Sequence, residues 1–579
     1  MTEENKSRTV IAPRRLRRRG SLRETPVWVA GDPEAVRPVT RGETFPLFAV
    51  GMVLGFIALY VCYGHGYLLL YGDAVAHLGI ARRIIDARYP GISQLGGVWL
   101  PLPHLLMLPF ISKMELWQTG LAGTPMSLIS YAASVAGVWR LGRRMMKQRW
   151  ALVATAFYAL NPNLLYLATT AMTEALFLAL FIWTVVATVE GIAALRAENV
   201  YTARMRMLLA GVLIFGQVMT RYDGWIVGAV VWCCFAVAVW RSEPKLRVAV
   251  FPVFVVLTVW CVAGPLLWFW YNAHFEHDWL DFMRGPFSAK QIERKTAPPG
   301  QHYRGWHNVG WAALFYMRTA QVDAAFWETG FGVALAAFYG FWLTWKRRLS
   351  AEVKARGESF IWLLWVPLPF YIYSVAYGSV PIFIPQLWPH SYYNARYGME
   401  MLPVLSLYGA LAAERLSVWF AGRTESWARL SARLAQPVAM MLCVANCVAM
   451  MYFVPLILKE GIVNAKTRVP FEHQLSVILD EYPRDVPVMM STSAHVGAVQ
   501  VAGRSLKSMV SEGDDQSWQI ALRDPAANAA YVIAIVGDPV DKAVQAHPQG
   551  LAELEVVCSL GQPCAKVYQS TVWKPGATQ

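Results

Sequence analysis

The chain has 579 residues, 56% of them hydrophobic and only 16% charged, a balance too apolar for an ordinary soluble protein of this size. Its formal charge is +14, from 52 Lys and Arg against 38 Asp and Glu. The basic residues fall between long apolar runs, so the surplus points to membrane topology and away from nucleic acid.

Residues 1–45 are polar and basic, with RRLRRR at Arg14 to Arg19. No short apolar core with a small-residue cleavage site stands out there. The stretch reads as a disordered cytoplasmic tail touching anionic lipid, with a nucleic-acid-binding arm as the sharper alternative. Apolar periodicity then predicts membrane helices near 46–68, 124–140, 150–168, 171–194, 206–221, 224–240, 248–270, 323–345, 359–378, 399–418 and 435–456, about eleven in all. Alternate connections carry clustered cations: Arg140, Arg143, Arg144 and Lys147, then Arg196, Arg204 and Arg206, later Lys346, Arg347, Arg348, Lys354 and Arg356. The positive-inside rule puts these and the amino end in the cytoplasm, and an odd number of crossings puts the carboxyl end outside.

From about Lys459 the pattern changes. VPVMMSTS, YVIAIVGD, EVVCSL and AKVYQS read as short strands, with FEHQLSVILDEY and DQSWQIALRD as helices between them. The expected fold is therefore an α-helical polytopic membrane protein: a membrane domain over 46–458 and a small C-terminal α/β extracytoplasmic domain over 459–579. Cys62, Cys233, Cys234, Cys261, Cys443 and Cys447 lie in apolar runs and read as packing residues. Cys558 and Cys564 can close a disulfide across a short turn if the tail is outside. No Cys/His spacing suits a metal.

Between the first two apolar runs, Tyr71 to Phe110 carries Asp73, His77, Arg82, Arg83, Asp86 and His104, so it belongs at a membrane surface. Helical periodicity puts Arg82, Arg83 and Asp86 on one side and Leu78, Ala81, Ile84 and Ile85 on the other. Asp73 and His77, four residues apart, can point into one shared space. There a carboxylate and an imidazole suit proton removal from an acceptor hydroxyl or amine. Asp73 can equally cap the helix behind Gly72. Two ligands are too few to argue that the pair holds a metal. Trp99, in WLPLPH with His104, offers a stacking face for a sugar or an anchor for lipid head groups.

Further along, Glu174 opens an apolar run, where it suits either a membrane site or the helix dipole. Arg221 and Asp223 occupy a short outer turn and can pair with each other. Arg396 sits among aromatic residues at a helix start, where a guanidinium needs an anionic partner. A phosphate fits it well, and Glu400 one turn on is the competing partner. His390 and Arg284 are weaker companions.

The stretches GDAVAHLGIARRI after the first helix, NPNLLYLATTAMTEALFL and ARYGMEMLP, with an outer terminal domain, resemble the GT-C class of integral-membrane glycosyltransferases, nearest to the protein O-mannosyltransferase and aminoarabinose transferase group. The resemblance implies an inverting transfer at the outer face of the plasma membrane from a polyprenyl-phosphate sugar to a protein, lipid or glycan acceptor. Asp73 would be the base and Arg396, with Arg221, would meet the lipid phosphate; no cofactor or metal enters this scheme. The protein O-mannosyltransferases carry Asp-Glu at the first site where this chain has Asp73-Ala74, which leaves the acceptor open. A transporter or flippase of a lipid-linked substrate, its pathway lined by the same charges, is the alternative, although matching interrupted helices in two halves are missing. A noncatalytic scaffold would leave inward Asp73 and His77 without a purpose.

Overall fold

The computed structural model describes residues 25–28, 36–39, 41–296, 301–348 and 358–575. The basic cluster Arg14 to Arg19, and Lys354 and Arg356, lie outside the described residues. Strand β1 (Thr25–Trp28) pairs antiparallel with β2 (Val36–Val39), and the first long helix, Arg41–Gly64, follows.

Seven helical segments among the described residues are long and apolar enough to cross a membrane: Gly42–Gly64, Glu174–Arg196, Asp223–Trp240, Pro244–Glu276, Glu358–Tyr377, Ala395–Ala421 and Ser426–Glu481. The other expected runs also fold as helix, in less apolar or broken form. Residues 124–140 lie in Thr124–Met145, most of 206–221 in Val200–Val218, and most of 323–345 in Thr329–Arg347. The run 150–168 divides into Gln148–Ala159 and Pro162–Leu167. Proline at 162 removes a backbone donor where a new helix starts, and Asn161 accepts from Leu164 N at 3.1 Å.

Glu174–Arg196 is the most deeply buried of the seven and packs against Thr124–Met145, Val200–Val218 and Asp223–Trp240. The first helix lies close against Thr124–Met145 because Gly51 meets Ala132. A Cβ at Gly51 would stand 2.9 Å from the Ala132 Cα, so the small-residue contact sets that approach.

Two features depart from the sequence reading. Between the expected runs 248–270 and 323–345 lies a further helix, Val309–Ala324, whose second half is largely buried. The start of the Pro162–Leu167 helix holds its end: Asn161 Nδ2 and Asn163 Nδ2 donate to the Asp323 carbonyl at 2.8 and 3.1 Å. The polar side of the helix Gly72–Asp86 is also not left to water. Arg82 reaches Asp86 Oδ2 at 2.8 Å and donates to the Ile111 and Ser112 carbonyls, while Asp86 accepts from Ser505 Oγ at 2.7 Å and Leu506 N at 3.3 Å. The C-terminal part covers that face, and Ile85 from the apolar side is the exposed one.

The change of composition at Lys459 falls inside a continuous helix, Leu456–Glu481, which runs from the membrane bundle into the C-terminal part. Beyond it, β3 (Val488–Met490), β4 (Met509–Val510), β5 (Tyr531–Ile535), β6 (Leu551–Val557) and β7 (Ala565–Ser570) form one sheet in the order β4-β3-β5-β7-β6. The β4-β3-β5 portion is parallel and β5-β7-β6 antiparallel. One face buries Met489, Val510, Val532 and Ala534 with Trp518 and Val540. The other buries Val488, Met490, Ile533 and Val567 in one apolar cluster with Phe471, Leu475 and Leu479 of the long helix. Cys558 and Cys564 are joined at the tip of the β6–β7 hairpin.

Candidate active site

Three helix starts converge at one end of the bundle. Asp73 stands in the first turn of Gly72–Asp86, where Tyr71 is the N-cap and no side chain caps the helix, so Asp73 is not its cap. Glu174 opens Glu174–Arg196. Arg396 lies in the 3-10 turn Ala395–Met401 that leads into Leu402–Ala421. A carboxylate at a helix N-terminus is favoured by the dipole and a guanidinium is not, so the two acids can hold the arginine that its own helix end disfavours.

Arg396 Nη2 donates to Asp73 Oδ2 at 2.5 Å and Nε to Glu174 Oε1 at 3.0 Å, and Nη1 lies 3.9 Å from Glu460 Oε1. The guanidinium also sits over the rings of Tyr71 and Tyr397. Glu460, from the long helix Leu456–Glu481, accepts from the backbone N–H groups of Asn394 and Ala395 at 2.8 and 2.9 Å. It thereby satisfies the free donors at the turn that carries Arg396.

Arg221 joins the network through Glu174, at 2.9 Å, and through Thr173 Oγ1. Its remaining edges face Tyr371 OH at 2.7 Å, Glu400 Oε1 at 3.3 Å and Asp223 Oδ2 at 3.4 Å. Tyr371 OH also lies 2.7 Å from Glu400 Oε1 and 2.8 Å from Asp223 Oδ2, its one proton serving one carboxyl at a time. The turn pairing expected for Arg221 and Asp223 is thus one contact in a larger network. The expected competitor for Arg396 is displaced: Glu400 faces Arg221, and Arg396 takes Asp73 and Glu174.

The opening is at Asp73. Its side chain is 39% exposed, against 8% for Arg396 and 1% for Glu174 and Glu460. His77 turns elsewhere. Its Nδ1 lies 2.9 Å from His104 Nε2, and its ring packs on Trp99 with centroids 4.5 Å apart. Burial first, then the positive charges of Arg396 and Arg221, push His77 down to about 3, so it is neutral at physiological pH. Asp73 and His77 therefore do not form one acid–base pair. His77, Trp99 and His104 make a separate aromatic wall.

His390 is exposed, with Nδ1 2.9 Å from the Pro385 carbonyl, and Arg284 reaches Asp278 at 3.6 Å; neither touches the network among the described residues. No three His, Cys, Asp or Glu side chains among those residues group to hold a metal. Tyr371, Tyr397 and Glu460 were not singled out from sequence. The two tyrosines sit in or beside apolar runs rich in aromatics, and Glu460 lies just past the apparent end of the membrane part. The one available signal was an acid four residues after the last apolar run.

The chain has the fold of the GT-C class of integral-membrane glycosyltransferases. It is similar to ArnT from Cupriavidus metallidurans in a crystal structure with undecaprenyl phosphate bound: 12% identity, 91% of this chain and 98% of that one, TM-score 0.55. The apo state of ArnT matches at 13% identity over 91% and 97% of the two chains, TM-score 0.52. AglB from Archaeoglobus fulgidus, an archaeal oligosaccharyltransferase, matches at 11% identity over 85% of this chain and 69% of its own, TM-score 0.43. No family model and no curated protein matches the sequence.

Proposed function

We propose that this protein is a glycosyltransferase that moves a sugar from a polyprenyl-phosphate donor to a hydroxyl or amine acceptor at the extracytoplasmic face of the plasma membrane. The observation that carries the reading is the half-exposed Asp73 carboxylate in direct contact with the buried Arg396 guanidinium. A proton acceptor and an anion binder thus stand side by side at the mouth of a membrane bundle. The undecaprenyl phosphate in ArnT supports a lipid phosphate as the anion.

In this mechanism the acceptor oxygen or nitrogen attacks the anomeric carbon from the side opposite the phosphate. The bond from that carbon to the phosphate oxygen breaks, its electron pair stays on the lipid phosphate, and the acceptor's proton passes to Asp73, so the configuration inverts. Arg396 offsets the charge gathering on the phosphate. Arg221 stands behind it, enclosed by Glu174, Tyr371, Asp223 and Glu400, and acts by holding Glu174 in place. Eleven crossings with a cytoplasmic amino end put this site and the C-terminal part outside, a placement that the Cys558–Cys564 disulfide supports.

Purified protein incubated with a panel of polyprenyl-phosphate sugars and with hydroxyl- and amine-bearing acceptors tests the reading. Sugar transfer that disappears in Asp73→Asn is the expected result. Movement of intact lipid-linked sugar across proteoliposomes without any transfer would favour the transporter reading instead.

A further inference from the structure

Arg396 is surrounded by carboxylates of unequal accessibility. Glu174 and Glu460 are 1% exposed, and Glu460 is further committed to the Asn394 and Ala395 N–H groups. Tyr71 and Tyr397 lie within cation–π reach of the guanidinium. Asp73 alone among these acids stands at the opening, 39% exposed, on Nη2. Arg221 offers an incoming anion no comparable edge, since Nε, Nη1 and Nη2 all face side chains of the network. An anion arriving from outside therefore meets the guanidinium where Asp73 already sits.

The same contact restrains Asp73. Oδ2 is engaged by a guanidinium N–H, which ties the carboxylate to Arg396 and leaves Oδ1 as its one unengaged oxygen. We propose that the Asp73–Arg396 ion pair is a latch which the donor's phosphate opens: the phosphate takes the Nη2 edge of Arg396, and the displaced Asp73 carboxylate becomes free to receive the acceptor's proton. The inference rests on the transferase reading above. It adds an order of events, donor before acceptor, in which the carboxylate is released from the cation when the lipid phosphate arrives. Phosphate exchanges for carboxylate on one guanidinium, so no covalent bond changes in this step. A tetrahedral phosphate oxyanion offers the guanidinium the same charge-assisted hydrogen bonds that it gives up.

The test is equilibrium binding of a polyprenyl monophosphate that carries no sugar to the full-length protein in nanodiscs. Wild type binds it while breaking the pair. Asp73→Asn and Asp73→Ala have no pair to break and bind roughly 5-fold to 150-fold more tightly, the range expected of a coupling between two events at one site. Made in an Arg396→Gln background, Asp73→Asn brings a much smaller gain, because the competition was for that guanidinium. Unchanged or weaker binding by both Asp73 variants, each folded as judged by its melting curve, overturns the latch. So does a gain undiminished without Arg396, which would reflect repulsion through space. Absence of saturable binding to wild type and variants alike would instead sink the transferase reading on which the latch rests.

Discussion

The helix Glu174–Arg196 carries a buried glutamate shared among arginines near each end, and the two ends do different work. Glu174 is held by Arg221 at 2.9 Å and Arg396 at 3.0 Å. Glu190, sixteen residues on and so roughly 24 Å away, is held by Arg140 at 2.5 Å, Arg206 at 2.8 Å and Arg144 at 3.6 Å. Both glutamates are almost fully buried. The Glu190 end is a closed knot that ties Thr124–Met145 and Val200–Val218 to the central helix. At the Glu174 end, carboxyl groups outnumber guanidiniums, and one of them, Asp73, opens outward. A buried ion pair by itself therefore says little about function; an accessible member within a network that is otherwise sealed says more.

The sharpest way to break this comparison is to change one residue at each end. Asp73→Asn lowers the initial transfer rate by about 10²–10⁴-fold, the range for loss of a positioned base, while its melting temperature stays near wild type because the side chain is half exposed. Glu190→Ala does the reverse. It removes the carboxylate that three guanidiniums share and costs about 3–5 kcal/mol of stability, read as a fall in melting temperature, with the rate per folded molecule retained. A transfer rate lost with Glu190 or kept without Asp73 would dissolve the distinction.

Smaller changes sharpen it. Arg396→Lys keeps the charge and gives up the planar fork, which raises the donor KM by about 10- to 150-fold if the lost bonds carry about 1.5–3 kcal/mol; kcat moves less. Tyr371→Phe removes the hydroxyl between Arg221, Asp223 and Glu400 and destabilises the protein by about 1–3 kcal/mol, measured by unfolding in detergent. The smallest effect at neutral pH comes from His77. Its folded value is about 3 against an ordinary 6.5, so between those values the unfolded chain binds more protons and stability rises with pH. His77→Gln flattens the stability profile across that window and leaves stability at pH 7 little changed.

The amino-acid sequence by itself determined the class of protein and where its charges had to gather. Apolar runs of spanning length leave helices as the means of burying backbone donors and acceptors in lipid, and alternation of pattern marked β3, β5, β6 and β7 before any contact was known. Asp73, Glu174, Arg221, Asp223 and Arg396 were legible because an ionised group beside an apolar run is costly enough to need a reason. Only the tertiary structure decided how those groups pair. Periodicity speaks for neighbours three or four residues apart, so it offered Asp73 to His77 and Arg396 to Glu400. The fold instead joined Asp73 to Arg396 across 323 positions and turned His77 toward His104. The same limit hid Glu460 and Tyr371: what makes them part of the site is the helix packed against them, and a sequence does not state which helices will touch.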